Sequence, residues 1–220
     1  CIRDSSDAIF SLLMQAYACP LQKNILTHQY AFMGYEIQAH THGLNCLKAH
    51  IHPETWDIKL DELLSLSQNN VAITFIANPN NPTGNLLSWA TILNLLQQIP
   101  KDSLFVLDQA YLEYDAQLSP DIMELIQNHP NLVMTRTFSK AYGLASLRLG
   151  YAIAHPLVVQ TLNKIQLPFT ISQITLNAAL AALGDQEFVQ QTVRQTESEK
   201  LFLKQNLQHF PFDVHEGYGN

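Results

Sequence analysis

Apolar positions along the chain alternate between two patterns. Ile9, Leu12, Leu13, Ala16 and Tyr17 recur at i, i+3, i+4, i+7 and i+8, which predicts an amphipathic helix near the start. Residues 71–76 and 104–107 are near-continuous apolar runs bounded by turn residues, and predict strands buried on both faces. Residues 132–135 predict a third strand and residues 150–154 a fourth. Between them lie helical patterns at 60–66, from the capping Ser88 to about residue 98, and near 120–127. From residue 156 the pattern turns helical throughout, at 157–165, 172–183 and 186 to about 208.

Strands without alternation, separated by helices, need crossover connections. They predict an α/β fold, a three-layer α/β/α large domain around a mostly parallel sheet. The helical tail suggests a second, small domain, with residues 1–185 forming the large domain and 186–220 a linker helix and the beginning of the small one. No repeat, low-complexity segment or flexible linker is present.

Composition narrows the function classes. Hydrophobic residues make up 47% of the 220, enough for a sizeable core. Twelve basic residues against 19 acidic ones give 12 − 19 = −7, which argues against a general nucleic-acid or anionic-membrane surface. No apolar run reaches the ~18 residues of a membrane helix. Cys1, Cys19 and Cys46 have no paired spacing, so a reducing cytoplasm is the expected compartment. A chain that begins at Cys1 and breaks off at Gly217-Tyr218-Gly219-Asn220 reads as a piece of a longer protein.

The chemistry-bearing residues follow the predicted strands, where open α/β sheets bind ligands. After 71–76 comes Asn78-Pro79-Asn80-Asn81-Pro82-Thr83-Gly84, and after 104–107 comes Asp108-Gln109-Ala110-Tyr111. After 132–135 come Ser139-Lys140 and then Arg148-Leu149-Gly150-Tyr151. Taken singly, each is ordinary: a turn, a helix cap, a solvated lysine, a surface arginine. As an ordered set they match the needs of pyridoxal 5′-phosphate. A lysine can form a Schiff base, a carboxylate can keep a pyridine nitrogen protonated, and Arg, Ser and a helix N-terminus can hold a phosphate.

With these motifs the chain resembles the fold-type I aminotransferases, and within them the histidinol-phosphate aminotransferase group. The likeness extends over almost the whole chain, including residues 30–35. The resemblance implies that Lys140 holds the cofactor as a Schiff base and shuttles the substrate proton. It implies that Asp108 pairs with the pyridinium nitrogen, that Tyr111 and Asn81 hydrogen-bond the ring 3-oxygen, and that Tyr30 stacks on the ring. Ser139 and Arg148 would bind the phosphate, with the backbone N–H groups of Ser6 and Asp7 at a helix start. Here the chain departs from the family, with Asp4 where Gly is usual and Ser6 where an acidic residue is usual. The implied reaction converts histidinol phosphate and 2-oxoglutarate to imidazole acetol phosphate and glutamate, in histidine biosynthesis. The implied assembly is a homodimer, with the arginines that grip substrate lying downstream of residue 220.

Other readings compete. The same fold and cofactor serve aromatic or aspartate aminotransferases and phosphothreonine-type decarboxylases, and a non-catalytic regulator fragment could keep the fold. His40, His42, His50 and His52 could form a four-nitrogen zinc site only if adjacent strands paired them; solvated histidines are the commoner outcome. Glu113 and Asp115 beside Asp108 suggest a paired-carboxylate hydrolase, but Tyr111 and Lys140 explain that region better. No metal is expected.

Overall fold

Burial on both faces turns the apolar runs into the centre of one seven-stranded sheet. The computed structural model describes residues 2, 3, 6–115, 117–211, 213–215 and 217–220, with residues 2 and 3 as backbone alone. Cys1, Asp4 and Ser5 lie outside the described residues, and with them the departure from the family pattern at position 4. The strands are β1 (Ile2–Arg3), β2 (Asn24–His28), β3 (Cys46–Ala49), β4 (Val71–Ala77), β5 (Leu104–Asp108), β6 (Leu132–Thr137) and β7 (Gly150–Ala154). Their spatial order is β1-β7-β6-β5-β4-β2-β3. The block from β3 to β6 is parallel, while β7 runs antiparallel to β6 and β1 antiparallel to β7.

The helices are α1 (Ser6–Tyr17), α2 (Gly34–Thr41), α3 (Leu60–Ser67), α4 (Trp89–Gln98), α5 (Ile122–Asn128), α6 (Pro156–Ile165), α7 (Gln173–Gly184) and α8 (Gln186–Leu207). Helices α1, α2 and α6 cover one face through Ile9, Phe10, Leu13, Tyr35, Val158 and Leu162, which meet Ile73, Phe75 and Val106 of the sheet. Helices α3, α4 and α5 cover the other through Leu63, Ile92, Leu95 and Leu125, against Ile76, Phe105, Leu107 and Met134. Alternate residues of β5 and β6 therefore point into different cores, as the lack of alternation requires. Helix starts are capped where the sequence marks them: Ser88 Oγ accepts the Thr91 N–H at 3.1 Å, and Asp121 Oδ1 the Met123 N–H at 2.8 Å.

The expected strands and helices are present, each within a residue or two of its predicted ends. Four elements carry no clear signal: the two-residue β1, β2, α2 and the edge strand β3. Strand β3 is only half-buried, so its sequence Cys-Leu-Lys-Ala never makes an apolar run. Among the described residues, no helix is long and apolar enough to cross a membrane. The histidines disperse: His42 Nε2 lies 2.8 Å from Ser11 Oγ and His50 Nδ1 2.6 Å from Glu62 Oε1. No group of three or more metal-ligating side chains forms among the described residues.

Chain order puts β4 back beside β2 and then β5 and β6 on its other flank, so the winding direction reverses at β2/β4. The loops after β4, β5 and β6 leave the same edge of the sheet, beside this crevice. Leu95 is fully buried in the layer on the opposite face from α1 and α2. Leu95→Ala should cost about 3 kcal/mol, within the usual 2–5 for a buried leucine. Urea unfolding reads that loss, and ligand affinity of the folded protein should be unchanged.

Candidate active site

Asp108, the last residue of β5, is 4% exposed and forms the floor of a cavity of about 110 Å³. The parallel register sets it beside Thr135 of β6 and Ala77 of β4. Thr135 Oγ1 donates to Asp108 Oδ1 at 3.0 Å, and the Tyr35 hydroxyl of α2 donates to Oδ2 at 2.7 Å. Burial raises this carboxyl from its ordinary 3.8 to about 6, and Asp7 adds a smaller push the same way. The two hydroxyls and the Ala110 N–H pull against it.

Lys140 stands on the cavity wall in the loop after β6, its Nζ 5.0 Å from the centroid of the Tyr111 ring. The loop is held from within. Thr137 Oγ1 accepts the Ser139 N–H at 3.1 Å and lies 3.0 Å from Ser139 Oγ and 3.2 Å from the Leu149 carbonyl. The Gly143 N–H closes the turn on the Lys140 carbonyl at 2.9 Å. Arg148 has left-handed backbone, φ 50°, and donates through Nη1 to the Ala145 carbonyl, leaving the rest of its guanidinium at the cavity.

The loop after β4 is folded on its asparagines. Asn78 exchanges two hydrogen bonds with the backbone of Leu87, at 2.7 and 3.1 Å, and Asn80 Nδ2 donates to the Tyr30 carbonyl. This presents Asn81 to the cavity. The chain's end returns here: the Tyr218 N–H donates to the Gly84 carbonyl at 2.7 Å. Gly84 has φ +72°, and a Cβ there would stand 2.5 Å from Gly217 Cα, so both conformation and contact call for glycine.

The cavity thus gathers Ser6, Asp7, Asn81, Asp108, Tyr111, Ser139, Lys140 and Arg148, all expected from the sequence. Ser6 and Asp7 open α1, as a helix-start anion site requires. Tyr30 is not among the lining residues. It sits in a turn at φ 55°, edge-on to Trp56 with ring centroids 5.2 Å apart. The aromatic ring on the wall is Phe32. Gly34 makes room for it, since a Cβ there would stand 2.3 Å from Phe32 Cε1. Thr137, Phe32, Tyr35 and Thr135 are the residues that sequence reasoning missed. The signals were a Phe two residues past Tyr30 and hydroxyl residues inside or beside apolar runs.

A buried carboxylate, an amine, a phenol, an amide and a guanidinium around one cleft suit a planar heteroaromatic ring bearing a phosphate. A family model for aminotransferase class I and II matches residues 2–218. The chain belongs to the aminotransferase class I and II family. Among curated relatives of this chain is histidinol-phosphate aminotransferase 2 of Legionella pneumophila subsp. pneumophila, 42% identical over 204 residues, covering 92% of this chain and 55% of the relative. The Pseudomonas aeruginosa protein of the same name is 37% identical over 196 residues, with 89% and 52% covered. The chain therefore spans about half the length of the curated relatives it matches. The crystal structure of histidinol-phosphate aminotransferase from Sinorhizobium meliloti, in complex with pyridoxal-5′-phosphate, superposes with a TM-score of 0.91 at 25% identity. It matches over all of this chain and 59% of its own.

The raised carboxyl makes a directional pH prediction. The folded state holds the Asp108 proton more tightly than the unfolded chain. This contribution to stability is therefore full below the ordinary 3.8 and is lost as the pH rises through about 6. Asp108→Asn should stabilise the apoprotein at about pH 8, by on the order of 3 kcal/mol. The advantage should vanish below about pH 4. Urea unfolding across that range checks it, and a pH-independent difference would contradict the assignment.

Proposed function

We propose that this chain is the cofactor-holding part of a pyridoxal-phosphate-dependent aminotransferase. Its reaction would pass the amino group of histidinol phosphate to 2-oxoglutarate, giving imidazole acetol phosphate and glutamate. The observation that carries the cofactor assignment is Asp108, an ionisable group buried on the cavity floor with Lys140 and Arg148 on the walls. The 42% identity to a curated histidinol-phosphate aminotransferase supports the choice of substrate.

Each residue then has a task. Lys140 Nζ would hold the cofactor and, when freed, carry the proton taken from the substrate α-carbon. Asp108 would pair with the pyridine nitrogen and keep it protonated. Asn81 and Tyr111 would donate to the ring 3-oxygen. Ser139, Arg148 and the N–H groups opening α1 would hold the phosphate. Phe32, rather than Tyr30, would pack on the ring face. When bound, pyridoxal phosphate supplies an aldehyde carbon that accepts amino groups and a ring that draws electrons from the substrate α-carbon.

The same reading makes the complete subunit one half of a cytoplasmic homodimer working on small amino and keto acids, with residues from 186 leading into a second domain. Phe169, Ile174 and Leu180 are 101%, 77% and 68% exposed, an apolar surface that supports a covering partner.

Borohydride reduction of the reconstituted full-length protein should leave a pyridoxyl group on Lys140, located by peptide mapping. Label on another lysine would overturn the mechanism. Lys140→Ala should abolish turnover with cofactor still bound. Phe32→Ala should weaken cofactor binding about tenfold, the scale of one aromatic contact, while Tyr30→Ala should leave it within about twofold. Histidinol phosphate and glutamate should each convert the enzyme-bound cofactor to its amine form, seen by absorbance. Carbon dioxide release, or response only to other amino acids, would replace the substrate assignment.

A further inference from the structure

Tyr35 is fully buried and held in an aromatic cage. Its ring stacks on Phe75 at 4.9 Å and 16°, with Phe10 edge-on at 5.1 Å and Phe32 edge-on at 5.5 Å. So fixed, its hydroxyl has a single direction, and that direction ends 2.7 Å from Asp108 Oδ2. On the other oxygen, the sheet register holds Thr135 Oγ1 at 3.0 Å. A carboxylate accepts about four hydrogen bonds. Tyr35, Thr135 and the Ala110 N–H take three here, which leaves room for about one donor from the cavity that Asp108 lines.

We infer that Tyr35, assisted by Thr135, is a positioning residue that keeps the Asp108 carboxylate ionised and turned to a single N–H donor in the cavity. The inference rests on the proposed facing of Asp108 to the pyridine nitrogen, but the hydroxyl pair acts in the apoprotein as well. It opposes the two influences that favour the neutral acid. Burial and the negative Asp7 of α1 favour the neutral acid, whereas the two hydroxyls and the Ala110 N–H favour the anion. The other charged or titratable groups at the cavity are Lys140, Arg148 and Tyr111, from the loops that follow β5 and β6. None of them is a hydrogen-bond partner of Asp108, so none substitutes for Tyr35. Phe32 ties this device to the cavity wall, because the ring that lines the cavity also braces Tyr35. A purely structural tyrosine would need only some acceptor for its hydroxyl. Spending that donor on the single buried carboxylate of the site is what separates the two roles.

The test is the ionisation midpoint of Asp108 in full-length apoprotein. It is read from the infrared carboxylic-acid band that disappears in Asp108→Asn. In the parent the midpoint should lie at about 6. Tyr35→Phe keeps the ring and removes the donor, so the midpoint should rise by about one pH unit, the tenfold change that one charge-assisted hydrogen bond supplies. Thr135→Val should raise it in the same direction, and the double variant should exceed either. An unchanged midpoint in a folded Tyr35→Phe protein would overturn the assignment. If Tyr35→Phe does not fold, Thr135→Val alone decides by the same reading, and collapse of both would make the hydroxyls structural and overturn it too. Because no cofactor is present, failure here is separate from failure of the cofactor assignment, which binding of pyridoxal phosphate by the parent reads independently.

Discussion

A carboxylate removed from water at the end of a central strand is costly, and the site is organised around making that tolerable. Asp108 is 4% exposed, and its neighbours are chosen by the sheet rather than by local sequence. Register brings Thr135, and the packing of α2 brings Tyr35. Burial favours the neutral acid, and those donors favour the anion. The position of β5 between β4 and β6 is thus the constraint on which the cavity depends.

The same edge of the sheet delivers the remaining groups. Lys140 and Arg148 lie in the connection from β6 to β7, Asn81 follows β4 and Tyr111 follows β5, so three connections converge at the cavity. Two later segments brace these loops. Val189 and Val193 of α8 pack against Tyr114 and Ala141, beside the loops that carry Tyr111 and Lys140. Tyr114 also hydrogen-bonds Thr196, and Tyr142 hydrogen-bonds Gln186. The end of the chain, from Gly217, lies on the loop after β4 through the close approach of two glycines. Helix α8 is therefore in contact with the loop that carries Lys140.

Much of this was legible in the sequence, for identifiable reasons. Strands β4, β5 and β6 are buried on both faces and so announce themselves as apolar runs, and the candidate site residues follow them directly. Strand β3 at the sheet edge and the short helix α2 have weaker burial patterns and left no comparable signal. The ring on the cavity wall is Phe32, two residues past the expected Tyr30. A turn at φ 55° sends Tyr30 outward to Trp56, and a bend of that kind has no marker when a non-glycine residue makes it. The roles of Tyr35 and Thr135 were not legible for a different reason. Their role comes from what lies across the sheet and the layer, 73 and 27 residues away in sequence.

As the counter-charge at the cavity floor, Asp108 would face the ring nitrogen of bound pyridoxal phosphate and keep it protonated. Reconstituting the full-length protein with cofactor labelled with nitrogen-15 in the ring, and recording its nuclear magnetic resonance shift, reads that protonation. The parent protein should give a pyridinium signal at neutral pH, replaced by a neutral-pyridine signal in Asp108→Asn. A neutral ring in the parent, or a protonated ring that the substitution leaves unchanged, would contradict it.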